Sequence, residues 1–468
     1  MVIHDRIDLK TTQPQENSPN MPQDDLLELA MKHNFWTWSM QQCPSVINVK
    51  KSQGVYFWDQ DDKRYLDFNS MVMCVNIGHG NQHVKQAMID QINELPFVGP
   101  HMVSKPKALL GEKLASITPP GLDHFLYTLG GSDANENAIK TARDYTGKVK
   151  ILTRYRSYHG ATMGAMALTG DRRRLHWEPA VMPGVVHFLD PFRYRSVFFK
   201  GRGLVPDSVY TQAYLDNLEE VIRFEGPQKI AAILLEPITG TNGIIIPPEG
   251  YMKGVREICD HHNILMIFDE VMTGFGRTGK MFASEHWGVK PDIFTMAKGL
   301  TSGYAPLGAV AMKRDIFDFF KDKTFFGGMT YTGHPVSCAA AIANIEVIQQ
   351  EKLVENSATR GETLKQLLQE IKAKHPCVGD VRSIGLFGVI ELVRDGLTRE
   401  PFTEPDKPLK AIMARVKDEI IKHGVFLYNT FHMILIIPPL IITDDQLREG
   451  FAVIDRALDL ADADIKQG

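Results

Sequence analysis

The sequence predicts an α/β protein: a large domain on a mostly parallel sheet, followed by a smaller α+β domain. Three observations carry that prediction. Apolar runs within KIAAILLEPI (229–238) and NILMIFDEV (263–271) flank an amphipathic stretch, EGYMKGVREICDHH (249–262). An apolar run without alternation suits a strand covered on both faces, the setting of a parallel sheet. A chain of 468 residues, 44% hydrophobic and 23% charged, is long enough for a substantial core and more than one domain. After Pro335 the rhythm changes to two long helices, CAAAIANIEVIQQEKL and ATRGETLKQLLQEIKAKH, then short strands and a terminal amphipathic helix. The expected division is an N-terminal arm with part of the small domain (1–70), a large domain (71–334) and a C-terminal small domain (335–468).

In chain order, residues 1 to 24 are polar, carry Pro14, Pro19 and Pro22, and read as a loosely packed arm. DDLLELAMKH begins a helix that runs into the aromatic cluster His33 to Gln41. VYFWDQDDKRYLDF alternates apolar and polar residues about a DQDDK turn, a hairpin pattern. In MVMCVNIGHGNQHVKQAMIDQI, Gly78 and Gly80 separate a short apolar strand from a helix. PKALLGEKLASITP is helical, FLYTLGGSDANENAIKTARDYTG reads strand, glycine turn, helix, and KVKILTRYRSYHG is a strand entering a loop. Asp190 to Tyr214, aromatic and basic, interrupts the alternation and reads as a surface insertion.

A net charge of -4 gives no case for nucleic acid. The densest basic run, Arg172 to Arg174, reads as a solvated loop. Cys43, Cys74, Cys259, Cys338 and Cys377 are odd in number, widely spaced and lack a CxxC, so reduced thiols in a cytoplasmic protein and no metal site are expected. The start, MVIHDRIDLKTTQPQ, has no signal-peptide h-region, and no run is long and apolar enough for a membrane span.

Ligands in open α/β sheets bind beyond the carboxyl ends of strands. Gly130, Tyr158, Glu236 and Asp269 all fall just past such ends. Gly130, Gly131 and Ser132 open a helix, where free N–H groups and the helix dipole favour a phosphate; Ser132 also reads as a plain N-cap. Tyr158, in Tyr158-His159-Gly160, can offer an aromatic face or simply end a turn. Glu236 can orient a ligand or cap a neighbouring turn. From Phe268 to Val310 the chain reads FDEVMTGFGRTGKMFASEHWGVKPDIFTMAKGLTSGYAPLGAV, an acid (Asp269) at a strand end and a lysine (Lys298) among small residues. That pairing is what pyridoxal phosphate chemistry needs: the lysine amine bonds to the cofactor aldehyde, and the carboxylate holds the protonated ring nitrogen. Lys298 alone would read as a solvated surface lysine.

The stretch resembles the signature of the class III (ω-amino acid) aminotransferases, through Asp269, Glu270 and Val271, the segment Gly274 to Gly279, Pro291 with Asp292, and Lys298 with Gly299. The resemblance extends over about residues 35 to 445. It implies the fold of fold-type I pyridoxal-phosphate enzymes and pyridoxal 5'-phosphate as cofactor. By resemblance, Gly131 and Ser132 hold its phosphate, Tyr158 and Val271 pack on its ring, Asp269 and Lys298 do the chemistry, and Thr330 (or Thr332) reaches the phosphate of a neighbouring subunit. A homodimer or dimer of dimers follows. Asp133 departs from the family's usual Glu. Trp36 and Trp38 match a region lining the substrate entrance. Many family members carry an arginine shortly before the PPL segment; GVFLYNTFHMILIIPPL (424–440) has none, which leaves Arg156 as the expected anchor of a substrate anion, beside Trp36 and Glu236. The resemblance implies ping-pong transfer from a small ω-amino acid, taurine first and β-alanine or 4-aminobutyrate next, to 2-oxoglutarate or pyruvate. The taurine aminotransferase branch is the expected one. A class III racemase, aminomutase or phospholyase stays open.

Overall fold

A computed structural model describes residues 23–42, 46–178, 180–200, 205–403 and 411–467. The expected N-terminal arm before residue 23 lies outside the described residues, as does Cys43. The described residues form two compact units, one from 23–51 with 58–64, the other from 52–57 with 65–467. In the first, a helix spans Gln23–His33 and the ion pair Lys50–Asp62 closes at 2.9 Å.

The second unit is built on a seven-stranded sheet. Its strands are β1 His124–Thr128, β2 Lys150–Arg154, β3 Val185–Phe188, β4 Ile230–Leu235, β5 Leu265–Asp269, β6 Ile293–Met296 and β7 Gly308–Met312. Their spatial order is β1-β7-β6-β5-β4-β2-β3. β7 is antiparallel to both neighbours and the remaining pairs are parallel, so the other strands all point the same way. Every residue of β4, β6 and β7 is buried, as expected for strands covered on both faces. The helices include α1 Gly131–Thr146, α2 Asp207–Glu225 and α3 Tyr251–His262. Gly147 ends α1 in the left-handed region at φ 66°, a conformation glycine adopts without penalty.

Beyond Pro335, α4 Pro335–Gln350 and α5 Leu353–Lys374 lead to a smaller sheet of β8 Val378–Ile384, β9 Phe387–Asp395, β10 Glu400–Pro401, β11 Tyr428–Thr430 and β12 Met433–Ile436. Its order is β8-β9-β12-β11, with β10 on β9. α6 Asp444–Gln467 closes the chain. α4 also packs on the helices Gln82–Glu94 and Lys105–Ala115 of the large part, so it belongs to both layers of contact.

Three expectations change. MVMC is not a strand: Ser70, Met71, Val72 and Met73 all have φ between 43° and 61°. Tertiary bonds hold this unfavourable run, with Ser70 Oγ donating to Ile437 O at 2.6 Å and buried Arg277 donating to Asn76 Oδ1 at 2.8 Å. The basic run Arg172–Leu175 is a short helix, and Arg173 is half-buried rather than solvated. The insertion is only partly superficial: its end is the first turns of α2, where Tyr210 and Tyr214 are buried in the core. Cys259, Cys338 and Cys377 are free and buried, and Cys74 is free and half-buried. No helix among the described residues is long and apolar enough to cross a membrane.

Candidate active site

Because β1, β2, β4, β5 and β6 point one way, their carboxyl ends share one edge of the sheet. Thr128, Arg154, Leu235, Asp269 and Met296 are the last residues of those strands. The segments that follow carry Gly131, Tyr158, Glu236, Val271 and Lys298 to the same edge.

Asp269 is buried. Its Oδ2 accepts from Asn135 Nδ2 at 2.7 Å and faces His159 Nδ1 at 2.8 Å; its Oδ1 accepts the Val271 N–H at 3.0 Å. A buried carboxylate is tolerated only with such donors. The donors are themselves fixed. Thr295 Oγ1, on β6, donates to Asn135 Oδ1 at 2.9 Å, and His159 Nε2 meets Thr153 Oγ1, on β2, at 3.2 Å. With Nδ1 carrying the proton toward Asp269, the Thr153 hydroxyl donates to Nε2. Asn135, His159, Thr153 and Thr295 escaped the sequence reading. The available signal was polar residues at positions where α1, β2 and β6 should be apolar.

On α1 the first intrahelical bond runs from Ala134 N–H to Gly130 O at 3.1 Å, so the amides of Gly131, Ser132 and Asp133 precede the ladder and suit an anion. A Cβ on Gly131 would lie 2.8 Å from Val271 Cγ1, so only glycine lets the helix mouth sit against that valine. Ser132 Oγ accepts the Ala161 N–H at 3.0 Å, and Gly160 (φ 140°) leaves room for it, since a Cβ there would lie 2.3 Å from Ser132 Oγ. Lys298 is half-buried with φ 43°, a strained value for a non-glycine. Its turn is clamped by Asn344 Nδ2 of α4, which donates to Gly299 O at 2.8 Å and Leu300 O at 3.0 Å. The set of helix mouth, buried carboxylate, aromatic ring, valine and strained lysine at one edge fits pyridoxal 5'-phosphate.

Tyr158 is half-buried, and burial pushes its phenol upward. Its N–H donates to Glu236 Oε1 at 3.1 Å, while Glu236 Oε2 accepts the Gly240 N–H at 2.7 Å. Glu236 therefore has the partners of a turn cap. Burial, with the Asp269 carboxylate adding to it, raises its own pKa. Arg156, the expected anion anchor, donates from Nη1 to both carboxylate oxygens of buried Asp190, at 2.7 and 3.0 Å. The guanidinium of Arg173 lies 4.0 Å from the Tyr158 ring centroid. Arg173 pairs with Asp171, which Asn242 Nδ2 also holds at 3.0 Å. Burial opposes its charge, but that pairing with Asp171 keeps its pKa above the usual arginine value. Arg172 lies 4.5 Å from the Phe431 ring, in the same small-domain segment where the arginine before PPL is missing.

Trp36 belongs to the N-terminal unit, where Gln41 closes on it: Trp36 N–H donates to Gln41 Oε1 at 2.9 Å and Gln41 Nε2 to Trp36 O at 2.7 Å. Trp38 is 72% exposed. Thr330 stands exposed in the loop before α4, and Thr332 Oγ1 accepts the Met329 N–H at 3.2 Å.

The aminotransferase class-III family model matches residues 38–458. A taurine–pyruvate aminotransferase of Bilophila wadsworthia is 37% identical over 428 residues, 87% of this chain and 91% of that one. A putrescine–pyruvate aminotransferase of Pseudomonas aeruginosa is 34% identical over 421 residues, 88% of this chain and 90% of that one. The crystal structure of a taurine:2-oxoglutarate aminotransferase from Bifidobacterium kashiwanohense, in complex with pyridoxal phosphate and glutamate, is 41% identical with a TM-score of 0.91, covering 94% of this chain and 98% of that one.

Proposed function

The chain belongs to the class-III aminotransferases, and from that premise we propose that it moves the amino group of a small anionic ω-amine to a 2-oxo acid. Taurine is the first donor, β-alanine or 4-aminobutyrate the next, and 2-oxoglutarate or pyruvate the acceptor. What carries the anionic-donor reading is Arg173, a cation over the ring that borders the cofactor position. A planar guanidinium matches a sulfonate or carboxylate. That one named relative acts on taurine and another on putrescine makes the donor's charge the point at issue.

Pyridoxal phosphate, when bound, supplies an electron sink for the carbon that loses its proton. The chain's residues do the rest. The amides of Gly131 and Ser132 hold the phosphate, and Tyr158 and Val271 pack against the ring. Asp269, its second oxygen already clamped by Asn135 and His159, keeps the ring nitrogen protonated. Lys298 would hold the cofactor through its amine, and that amine is the group placed to carry a proton from the donor carbon. The strained turn at Lys298 fixes the amine's origin while leaving a flexible stem to move.

A homodimer completes the reading. Thr330 is exposed in a loop beside Tyr331, whose ring meets Phe97 at 5.7 Å. Phe97 and Tyr331, in contact and 41% and 55% exposed, are apolar surface that supports this reading. The second subunit would receive Thr330 at its phosphate site.

A donor-by-acceptor screen tests the function. Taurine with 2-oxoglutarate or pyruvate should turn over faster than putrescine or a simple alkylamine. Turnover of any donor without an oxo acid would point to the racemase or lyase reading instead.

A further inference from the structure

The segment that interrupts the large domain builds a second cavity. It measures about 670 Å³, and its walls include Phe192, Arg193, Tyr194 and Tyr210 from that segment with Arg382 and Arg399 from beyond Pro335. It shares no wall residue with the cluster around Asp269. Cations and rings interleave. Arg382 lies 4.8 Å from the Phe192 ring, Arg399 4.8 Å from the Tyr194 ring and Arg193 5.8 Å from the Tyr210 ring.

The charges do not cancel. Arg193 pairs with Asp207, and Arg382 with Asp380 at 2.5 Å and Glu391 at 2.9 Å. Arg195, behind the wall, shares Glu391. Arg399 donates to Tyr194 O at 2.5 Å and has no carboxylate partner among the described residues. Among the described residues, four arginines thus face three carboxylates, Asp207, Asp380 and Glu391, and Arg399 is the one without a carboxylate partner. The volume is in the range of small-molecule sites.

We propose that this cavity is a second binding site, for a flat anion: an aromatic ring bearing one carboxylate or phosphate group, the anion on Arg399 and the ring against the half-buried faces of Tyr194 and Phe199. Guanidinium over aromatic walls favours such a ligand twice, through stacking and through charge. The site also touches the machinery described above. Arg382 donates to Gly243 O at 3.0 and 2.7 Å, and the neighbouring Asn242 holds Asp171, the partner of Arg173.

The test is calorimetric titration of the cofactor-loaded enzyme with two probes, benzoate and adenosine 5'-monophosphate. Saturable binding of either at one site per chain is expected, with benzoate and the nucleotide separating the carboxylate from the phosphate form. Arg399→Ala should weaken it at least tenfold, and Arg399→Lys less. Arg399 is exposed, so these variants should fold, and unchanged transamination by Arg399→Ala would verify that. Saturating taurine and 2-oxoglutarate should not displace the probe. Absence of saturation by both probes, equal affinity in Arg399→Ala, or displacement by donor and acceptor would each overturn the proposal. Because the readout is binding, it fails or succeeds independently of which amine the enzyme uses.

Discussion

Replacing Arg173 by Gln separates the two candidate anion anchors. The guanidinium contributes in two ways. Its stacking on Tyr158 at 4.0 Å acts on every donor alike, through the ring's position, and is worth about 0.5–1 kcal/mol, or roughly two- to fivefold in rate. Its charge acts only on an anionic donor. Losing a hydrogen bond to a charged group costs about 1.5–3 kcal/mol, which is about 10- to 150-fold in kcat/KM. The ratio of kcat/KM for taurine to that for propylamine should therefore fall about 10- to 150-fold in Arg173→Gln, whatever happens to the absolute rates. In Arg156→Gln the same ratio should hold. That variant strands the buried Asp190 carboxylate instead, so its effect belongs in stability. Arg156 is 40% exposed, which limits the loss to about 1–3 kcal/mol, below the cost of breaking a fully buried pair. Steady-state kinetics with both donors, and a urea midpoint for each variant, provide the measurements. Equal loss on taurine and propylamine in Arg173→Gln would refute the anchor. A collapse of the ratio in Arg156→Gln would restore the original assignment.

Further expectations follow from the same geometry. Gly131→Ala places a methyl 2.8 Å from Val271 Cγ1, so cofactor retention on dialysis should drop while the apoprotein's circular dichroism is kept; full retention would sink the phosphate assignment. Lys298→Ala should remove turnover and the visible absorbance of the lysine-linked cofactor, and survival of that band would place the linkage elsewhere. Thr330→Ala should weaken cofactor retention in the dimer; unchanged affinity would count against the contact across subunits. Burial raises Glu270 to about 7 from 4.5, against neutral donors from Thr273, Ala283 and Ser284. The folded value is above the unfolded one, so this contribution is complete below the unfolded pKa and is lost as pH rises through about 7. It amounts to about 3 kcal/mol at most, so Glu270→Gln should flatten the decline of the urea midpoint across that window. An unaltered slope would show that another group carries it.

How much was legible before folding depends on the range of the interaction involved. The apolar runs of β4 and β5 announced buried strands because burial on both faces removes every polar position, a property of consecutive residues. The glycine-serine helix start, Asp269 and Lys298 were legible because each sits at the junction of two local elements, and the direction of a parallel sheet then brings those junctions to one edge. MVMC misled because local preference said strand, while bonds to Ile437 and from Arg277, more than two hundred residues away, hold it left-handed. Arg172 to Arg174 misled for the same reason: three adjacent arginines are locally a solvated run.

By itself, then, the sequence determined the architecture, the cofactor and the residues expected to hold it, since those depend on periodicity and on motifs read within a single strand–turn–helix unit. Only the tertiary structure decided which donors clamp Asp269, that Arg156 answers to Asp190, and that Arg173 lies over Tyr158. Those are pairings between segments whose distance along the chain carries no trace of their distance in space, and for a buried charge the partner in space decides its role.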